Sequence, residues 1–299
     1  MECKKIFLTG GTGLVGTNLT KNLSIKEYSV KSISRQNQPP LKGIEWLIYD
    51  MNNSDLELCK QLEGVDVIIH NGASLNSGKT KEGLDEIKNV NILFTEKLLS
   101  CASKVGIRKI IFTSSYSHLQ KPLPDLITEE SEMNPMTAYA KSKYIGENLI
   151  GEYSSKHGFN YSILRLSSPV SFNFNLMPNT VLKNWIIQSQ KMETIDVYGS
   201  GGRSQDFVSV SDIADVFLSS IKKNNPNGIY NVASGNTISM LEIAKLVTNK
   251  FGNEFRMCGS DDYEMDRWNI SISKSAYEFG YMPKYSSKEV ILKLLDQFN

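Results

Sequence analysis

The chain has 299 residues, 40% hydrophobic and 22% charged, the proportions of a globular chain long enough to bury one large core or two modest ones. Lys and Arg number 33 against 32 Asp and Glu, a formal net charge of +1, so the basic surplus that neutralises a nucleic-acid backbone is missing and no nucleic-acid partner is expected. No apolar run approaches the roughly 20 residues that cross a bilayer, and Met1-Glu2-Cys3-Lys4-Lys5 leads into a strand-like run and glycines rather than a secretory signal, so no membrane association is expected. Cys3, Cys59, Cys101 and Cys258 are scattered without metal-ligand spacing and suit a reducing cytoplasm better than a disulfide scaffold. The histidines His70, His118 and His157 include no i,i+4 pair, and no metal site is expected.

In chain order, short apolar runs alternate with segments of helical period. Strands are predicted at Ile6–Leu8, Val30–Ile33, Trp46–Tyr49, Val65–Ile69 and Lys109–Thr113, and helices at Leu14–Leu23, Ser54–Leu62 and Ile87–Lys104. Runs that are apolar on both faces, separated by helices, predict an α/β fold with a parallel, doubly wound sheet and right-handed crossovers. A helix from about Thr137 to His157 and a strand at Tyr161–Leu166 continue the pattern. It then loosens over 167–205 and 234–299, while Asp206–Val210, Ile213–Ile221 and Ile229–Val232 read as a return to the main sheet. The expected organisation is a dinucleotide-binding domain of residues 1–166 with 206–233. A smaller, discontinuous C-terminal lobe of 167–205 with 234–299 would form the other wall of a ligand cleft at the carboxyl ends of the strands.

Thr9-Gly10-Gly11-Thr12-Gly13-Leu14-Val15-Gly16 joins the first strand to the first helix. Glycines there permit a tight turn and close approach of backbone to a pyrophosphate, which then sits at the positive helix N-terminus. Gly10, Gly13, Leu14, Val15 and Gly16 are therefore candidate cofactor residues. An acidic residue about 20 positions on would grip an adenosine ribose, but Ser34-Arg35 stands at the end of the second strand. A hydroxyl and a cation suit a 2′-phosphate, which tilts the cofactor from NAD toward NADP; the competing reading of Arg35 is a solvated surface arginine. Asp50-Met51 either contacts the adenine or caps a turn. Asn71, Gly72 and Ala73 are small residues where backbone passes a ligand, and His70 before them reads as a packed strand-end residue.

Tyr139-Ala-Lys-Ser-Lys143 carries the expected chemistry. Residues i and i+4 share a helix face, so the Lys143 ammonium is expected to lower the pKa of the Tyr139 phenol. A Tyr-x-x-x-Lys spacing arises by chance in many chains; here it falls on the helix after the strand that ends Thr113-Ser114-Ser115, where a strand-end hydroxyl can meet the phenol.

Together these residues resemble the extended short-chain dehydrogenase/reductase family, in its NAD(P)-dependent nucleotide-sugar epimerase/dehydratase branch. The Rossmann-type sheet is part of that resemblance, which runs nearly end to end. Gly10-x-x-Gly13-x-x-Gly16 matches the cofactor loop, and Ser115, Tyr139 and Lys143 match the catalytic hydroxyl, phenol and amine. Arg165-Leu-Ser-Ser-Pro169-Val170 and Asn175-Leu176-Met177-Pro178 are similar to segments of UDP-sugar 4-epimerases. Gly199-x-Gly201-x-x-x-Gln205-Asp206-Phe207-Val208-x-Val210-x-Asp212, Tyr230-Asn-Val-Ala233, Arg267, Ser273-Lys274 and Gly280-Tyr-x-Pro283 continue the series. The chain also departs from the family. Gln205 stands where an arginine is usual, with Arg203 as a substitute, and Ser168 replaces an asparagine. His118-Leu119-Gln120 replaces Val-Tyr-Gly. Members that eliminate water carry Asp-Glu after the catalytic hydroxyl, and Tyr116-Ser117 stands there instead, which argues against a 4,6-dehydratase.

The resemblance implies a C4 epimerase of a nucleoside-diphosphate sugar, with UDP-hexose or UDP-N-acetylhexosamine expected from family frequency. Tyr139 would exchange the C4 hydroxyl proton and Ser115 would share its charge. Asn175, Leu176, Arg203, Gln205 and Arg267 would grip the nucleotide. One alternative is an NADPH-dependent 4-keto nucleotide-sugar reductase using the same trio; another is a non-catalytic NAD(P)-sensing protein. A homodimer through Ile87–Lys104 and Thr137–His157 is likewise implied by the family.

Overall fold

The computed structural model describes residues 4–26, 28–50, 54–76, 78–119, 121, 123–222 and 226–298. Its first half runs β1 (Lys5–Thr9), α1 (Leu14–Ile25), β2 (Ser29–Ser34), β3 (Ile44–Ile48), α2 (Asp55–Leu62), β4 (Val67–His70), α3 (Lys81–Ile87), α4 (Phe94–Val105), β5 (Lys109–Ser115), α5 (Ala138–His157) and β6 (Asn160–Leu166). The second half runs β7 (Ser168–Val170), α6 (Val181–Gln190), β8 (Ile195–Tyr198), β9 (Ser204–Ser209), α7 (Val210–Lys222), β10 (Gly228–Val232), β11 (Thr237–Ser239), α8 (Met240–Phe251), β12 (Phe255–Cys258), α9 (Ser273–Phe279) and α10 (Ser287–Leu295).

Seven strands form one sheet in the order β10-β6-β5-β4-β1-β2-β3, and every neighbouring pair is parallel. Parallel neighbours require crossover connections, and the crossover helices cover both faces, which is why these strands are apolar on both sides. Ile6 and Leu8 of β1 share a core with Leu19 and Leu23 of α1 and Phe217 and Ile221 of α7. Phe7, pointing the other way, shares one with Leu58 and Leu62 of α2 and Leu98 and Leu99 of α4. The strand order reverses between β1 and β4, so the carboxyl ends of these strands open a crevice at the switch point. The parallel, doubly wound sheet expected from the periodicity is the one found, in the Rossmann-type order that the resemblance implies.

Three features depart from expectation. The helix predicted at Ile87–Lys104 starts earlier, at Lys81, and changes pitch: Lys88–Leu93 is π-helical between α3 and α4. Asn91, inside that segment, is buried against two other segments through Ser74 and Ser142, contacts that periodicity cannot see. The strand around Asp206–Val210 does not rejoin the main sheet. β9 instead lies between β7 (parallel) and β11 (antiparallel) in a separate three-stranded sheet, while α7 packs with α1 and β10 closes the main sheet. Finally, Cys59 on α2 and Cys101 on α4 form a disulfide. Their 42-residue separation hides the pairing in the sequence; the packing of α2 on α4 brings the Cα atoms to 4.9 Å.

The smaller lobe has its own core, in which Leu182 and Trp185 of α6, Ile243 and Val247 of α8, and Ile291 and Leu294 of α10 meet Phe207 of β9. β8 and β12 pair in parallel at its edge. Asp206 ties this lobe to the main sheet. Its buried carboxylate accepts hydrogen bonds from Ser167 Oγ (2.7 Å), Ser234 N (2.8 Å), Ser234 Oγ (2.8 Å) and Asn236 N (3.1 Å). Burial still outweighs those four donors and raises its pKa. Among the described residues no helix is long and apolar enough to cross a membrane.

Candidate active site

The glycines of the first turn are constrained for different reasons. Gly10 has φ +71°, and a Cβ on it would lie 2.6 Å from Gly72 N; a Cβ on Gly16 would lie 1.9 Å from Gly10 O. Both contacts are with backbone, so neither position has room for a side chain. Gly13 differs: it is exposed, and a Cβ there would meet only Gly10 O at an ordinary 3.4 Å. Nothing inside the chain requires glycine at 13, whereas a ligand lying on that backbone would. Gly13 also N-caps α1 with no side-chain hydrogen bond, while Ser54, Thr80, Thr137, Thr180, Ser239 and Ser286 cap their helices through their hydroxyls. The first N–H groups of α1, on Leu14, Val15 and Gly16, face a Cβ-free surface at the positive end of a helix. That cradle fits a dinucleotide pyrophosphate.

A directed chain of hydrogen bonds supports the cradle from behind. Asn71 Nδ2 donates to Gly10 O (3.2 Å), Thr113 Oγ1 donates to Asn71 Oδ1 (3.0 Å), and Gly72 N donates to Thr9 Oγ1 (2.9 Å). His70 lies between Thr9 Oγ1 and Thr95 Oγ1, 2.8 Å from each. Thr95 donates its one hydroxyl proton to Asn91 O (2.8 Å), so His70 Nε2 must be the donor to Thr95, and Nδ1 accepts from Thr9. Burial lowers the His70 pKa to about 3, with the Lys143 charge adding to the effect. His70 is thus a neutral, tautomer-locked strut, in keeping with a packed strand-end residue.

The trio gathers where β5 ends. The Thr137 hydroxyl caps α5 and aligns Tyr139 and Lys143 on one face. The Ser115 hydroxyl lies close enough to the Tyr139 phenol to act on its ionisation. Lys143 is buried; its Nζ donates to Thr113 O at 2.8 Å and lies 5.0 Å from the centre of the Phe112 ring and 5.9 Å from that of Tyr139. The expected electrostatics need correction. Burial raises the Tyr139 pKa to about 12 against the opposing Ser115 hydrogen bond, and Lys143 is not among the causes. Burial likewise lowers Lys143 to about 8, opposed by Glu147. Without ligand Tyr139 is a phenol, and the charge that would ionise it must come with the bound state. Asn91 completes the setting: its Oδ1 accepts from Ser74 N (2.7 Å), and its Nδ2 donates to Ser74 O and to Ser142 Oγ, both at 3.0 Å. It joins the loop after β4 to the helix that carries the trio. The sequence reading missed Asn91; a lone amide inside the apolar run Val90-Asn91-Ile92-Leu93 was its only signal.

Other candidates are placed as follows. Arg35 is exposed immediately after β2, while the Ser34 hydroxyl is used within its own turn, donating to Gln36 O (2.7 Å) and accepting from Gln38 Nε2 (3.2 Å). Asp50 is exposed just past β3, Ala73 is half-buried, and Met51 lies outside the described residues. Tyr116 turns inward beside Leu119, Ile127 and Ile270.

In the smaller lobe, a cavity of about 280 Å³ is lined by Trp185 of α6, Tyr198 of β8, Arg203, Asp196 and Asp261 among others. Arg203 Nε lies 3.3 Å from Asp261 Oδ2. The Arg267 guanidinium donates to Glu264 O (2.8 Å) and Asp266 O (3.0 Å), and its backbone bridges to Ser204 beside Gln205. Arg203, Gln205 and Arg267 therefore gather at one end of β9, with both guanidinium groups already engaged. Asn175 and Leu176 sit in the short turn before α6, whose Trp185 lines the same cavity. Sequence reading had not singled out Trp185, Tyr198 or Asp261. Among the described residues no cluster of three or more His, Cys, Asp or Glu has the geometry to hold a metal.

With this geometry in view, the family described as "Epimerase: NAD dependent epimerase/dehydratase family" matches residues 6–233. A putative UDP-glucose 4-epimerase of Methanocaldococcus jannaschii is 26% identical over 97% of this chain and 97% of its own. Human dTDP-D-glucose 4,6-dehydratase is 23% identical over 99% of this chain and 90% of its own. Among solved structures, UDP-glucuronic acid 4-epimerase from Bacillus cereus, in complex with UDP-glucuronic acid and NAD, superposes with a TM-score of 0.84 at 21% identity. That match covers 99% of this chain and 100% of the other.

Proposed function

The chain belongs to the NAD dependent epimerase/dehydratase family, and from that premise we propose that it is a nucleotide-sugar 4-epimerase acting on a UDP-hexose or UDP-N-acetylhexosamine with bound dinucleotide. The observation that carries this reading is the gathering of Ser115, Tyr139 and Lys143 at the end of β5, with Lys143 anchored on Thr113 O, on the sheet edge where α1 begins. The UDP-sugar 4-epimerases named for similar chains and folds support it. So does the fate of Tyr116. An eliminating enzyme needs an acid and a base after the catalytic hydroxyl, but the Tyr116 side chain is 2% exposed, packed among apolar residues.

In this reading Gly10, Gly13, Gly16 and the α1 N–H groups hold the pyrophosphate, and Asn71 and Gly72 line the same edge. When bound, the nicotinamide supplies a reversible hydride acceptor for C4. Tyr139 takes and returns the proton of the C4 hydroxyl. Ser115 donates to the same oxygen and disperses the charge that develops there. Lys143, anchored on Thr113 O, would hold the nicotinamide ribose against the site. Arg203, Gln205 and Arg267 grip the diphosphate, which requires Arg203 to exchange Asp261 for phosphate; guanidinium forks suit that geometry. Trp185 and Tyr198 offer aromatic walls for the base.

A homodimer belongs to the same proposal, with Leu93 and Ile145, apolar and partly exposed next to and on the long helices, at its interface, while the Cys59–Cys101 disulfide removes the cysteine argument for a reducing cytoplasm. Exposed Arg35 favours a second reading, NADPH-dependent reduction of a 4-keto nucleotide sugar. The test is incubation with UDP-, TDP- and GDP-sugars without added reductant. C4 epimers formed with no net change of cofactor support the epimerase; strict dependence on NADPH and a keto substrate replaces it with the reductase.

A further inference from the structure

Arg165 and Glu147 form an ion pair that the scheme above does not use. Arg165 stands on β6 in register with Ser114 of β5, on the face that Ile163 presents to the core beneath α5. Its Nε and Nη2 donate to the two Glu147 oxygens at 2.9 and 2.7 Å, and its Nη1 donates to Glu129 O at 2.9 Å. The two side chains are 3% and 4% exposed. A buried pair of this kind is seldom needed for stability, since apolar residues of similar volume often serve as well. Its position suggests another role. Glu147 lies one helical turn beyond Lys143, and i and i+4 share a face. The charged and titratable groups that bear on the Lys143 ammonium are Tyr139 and Glu147 on its own helix and His70 at the end of β4, with Arg165 on β6 bound to Glu147. His70 is neutral and Tyr139 a phenol; Glu147 is the group that acts to keep Lys143 charged.

We propose that Glu147 is a positioning residue for Lys143: clamped by Arg165, its carboxylate keeps the buried ammonium charged at the strand end and thereby sets the alkaline limit of turnover. The activity arm of this proposal rests on the epimerase reading, and the titration arm does not. Without the carboxylate, burial acts on Lys143 unopposed.

Glu147→Gln keeps the shape and removes the charge. Its alkaline limb of kcat is expected to move to lower pH, with the plateau below it retained, and Glu147→Asp, which keeps the charge, restores the limb. Independently of turnover, lysine ε-13C NMR reads Lys143 directly, its signal identified by loss in Lys143→Arg. It titrates near pH 8 in the wild type and lower in Glu147→Gln. Because a lone buried guanidinium opposes folding, Glu147→Gln/Arg165→Met serves as the second variant and is expected to titrate below wild type as well. An unmoved Lys143 titration in a folded variant overturns the proposal. So does a kcat lowered equally at every pH, and so does failure of both variants to fold, which would assign the pair to stability alone.

Discussion

His70 should make the fold sensitive to acid by a predictable amount. It is 2% exposed, its ring is hydrogen-bonded at both nitrogens, and burial lowers its pKa from 6.5 to about 3. A histidine depressed in the folded state takes up its proton only on unfolding. Its contribution is therefore fully present above pH 6.5 and is lost as pH falls toward 3. Each pH unit inside that window is worth about 1.36 kcal/mol, so moving from pH 7 to pH 5 removes about 2 kcal/mol. That is a substantial share of a typical stability of about 5–15 kcal/mol. The assay is urea unfolding of the wild type and of His70→Gln at both pH values. Glutamine offers Thr9 a carbonyl acceptor and Thr95 an N–H donor, so it retains the neutral hydrogen-bonding pattern while removing the titration. All other titrating groups are common to the two proteins, and the difference of differences isolates His70. The wild type should lose about 2 kcal/mol more than the variant between pH 7 and pH 5. A double difference within about 0.5 kcal/mol of zero, the usual scatter of additivity, would refute the protonation state and the tautomer chain inferred from it.

Other predictions concern the site. Tyr139→Phe should retain dinucleotide binding in a titration while C4 turnover falls by about 10²–10⁴-fold, the usual contribution of a positioned acid–base group; undiminished turnover would remove Tyr139 from the chemistry. Gly13→Ala and Gly16→Ala should separate ligand contact from internal packing. The first should unfold at the wild-type temperature yet bind dinucleotide weakly, whereas the second, whose Cβ would meet Gly10 O at 1.9 Å, should also lose about 1–3 kcal/mol of stability as an overpacked site. Equal stability of the two variants would contradict the distinction. Arg35→Ala should weaken NADP(H) and leave NAD(H) unchanged if the arginine meets a 2′-phosphate, and equal loss or no loss would assign Arg35 to the solvated surface.

Much of the fold could be read from hydrophobic period. Strands apolar on both faces, spaced by helices, imply a parallel sheet because crossover helices alone can cover both sides. The glycine turn after β1 and the Tyr139–Lys143 spacing were local features, visible as soon as their place on strand and helix was known. The Cys59–Cys101 disulfide and the pairing of β9 with β7 and β11 were not. Each depends on which helices or strands lie side by side, a matter settled by packing between segments tens of residues apart.

The sequence by itself determined the alternation of elements, the cradle at the start of α1 and the residue types of the trio, because all three follow from short-range pattern. Only the tertiary structure decided the charge states. Burial, a property of the whole packed neighbourhood, pushes the Tyr139 phenol further from ionisation, makes His70 a neutral strut and lowers the Lys143 pKa against the opposing Glu147 carboxylate. A helix face places two side chains together, but the surrounding dielectric and the third and fourth neighbours decide what they do to one another.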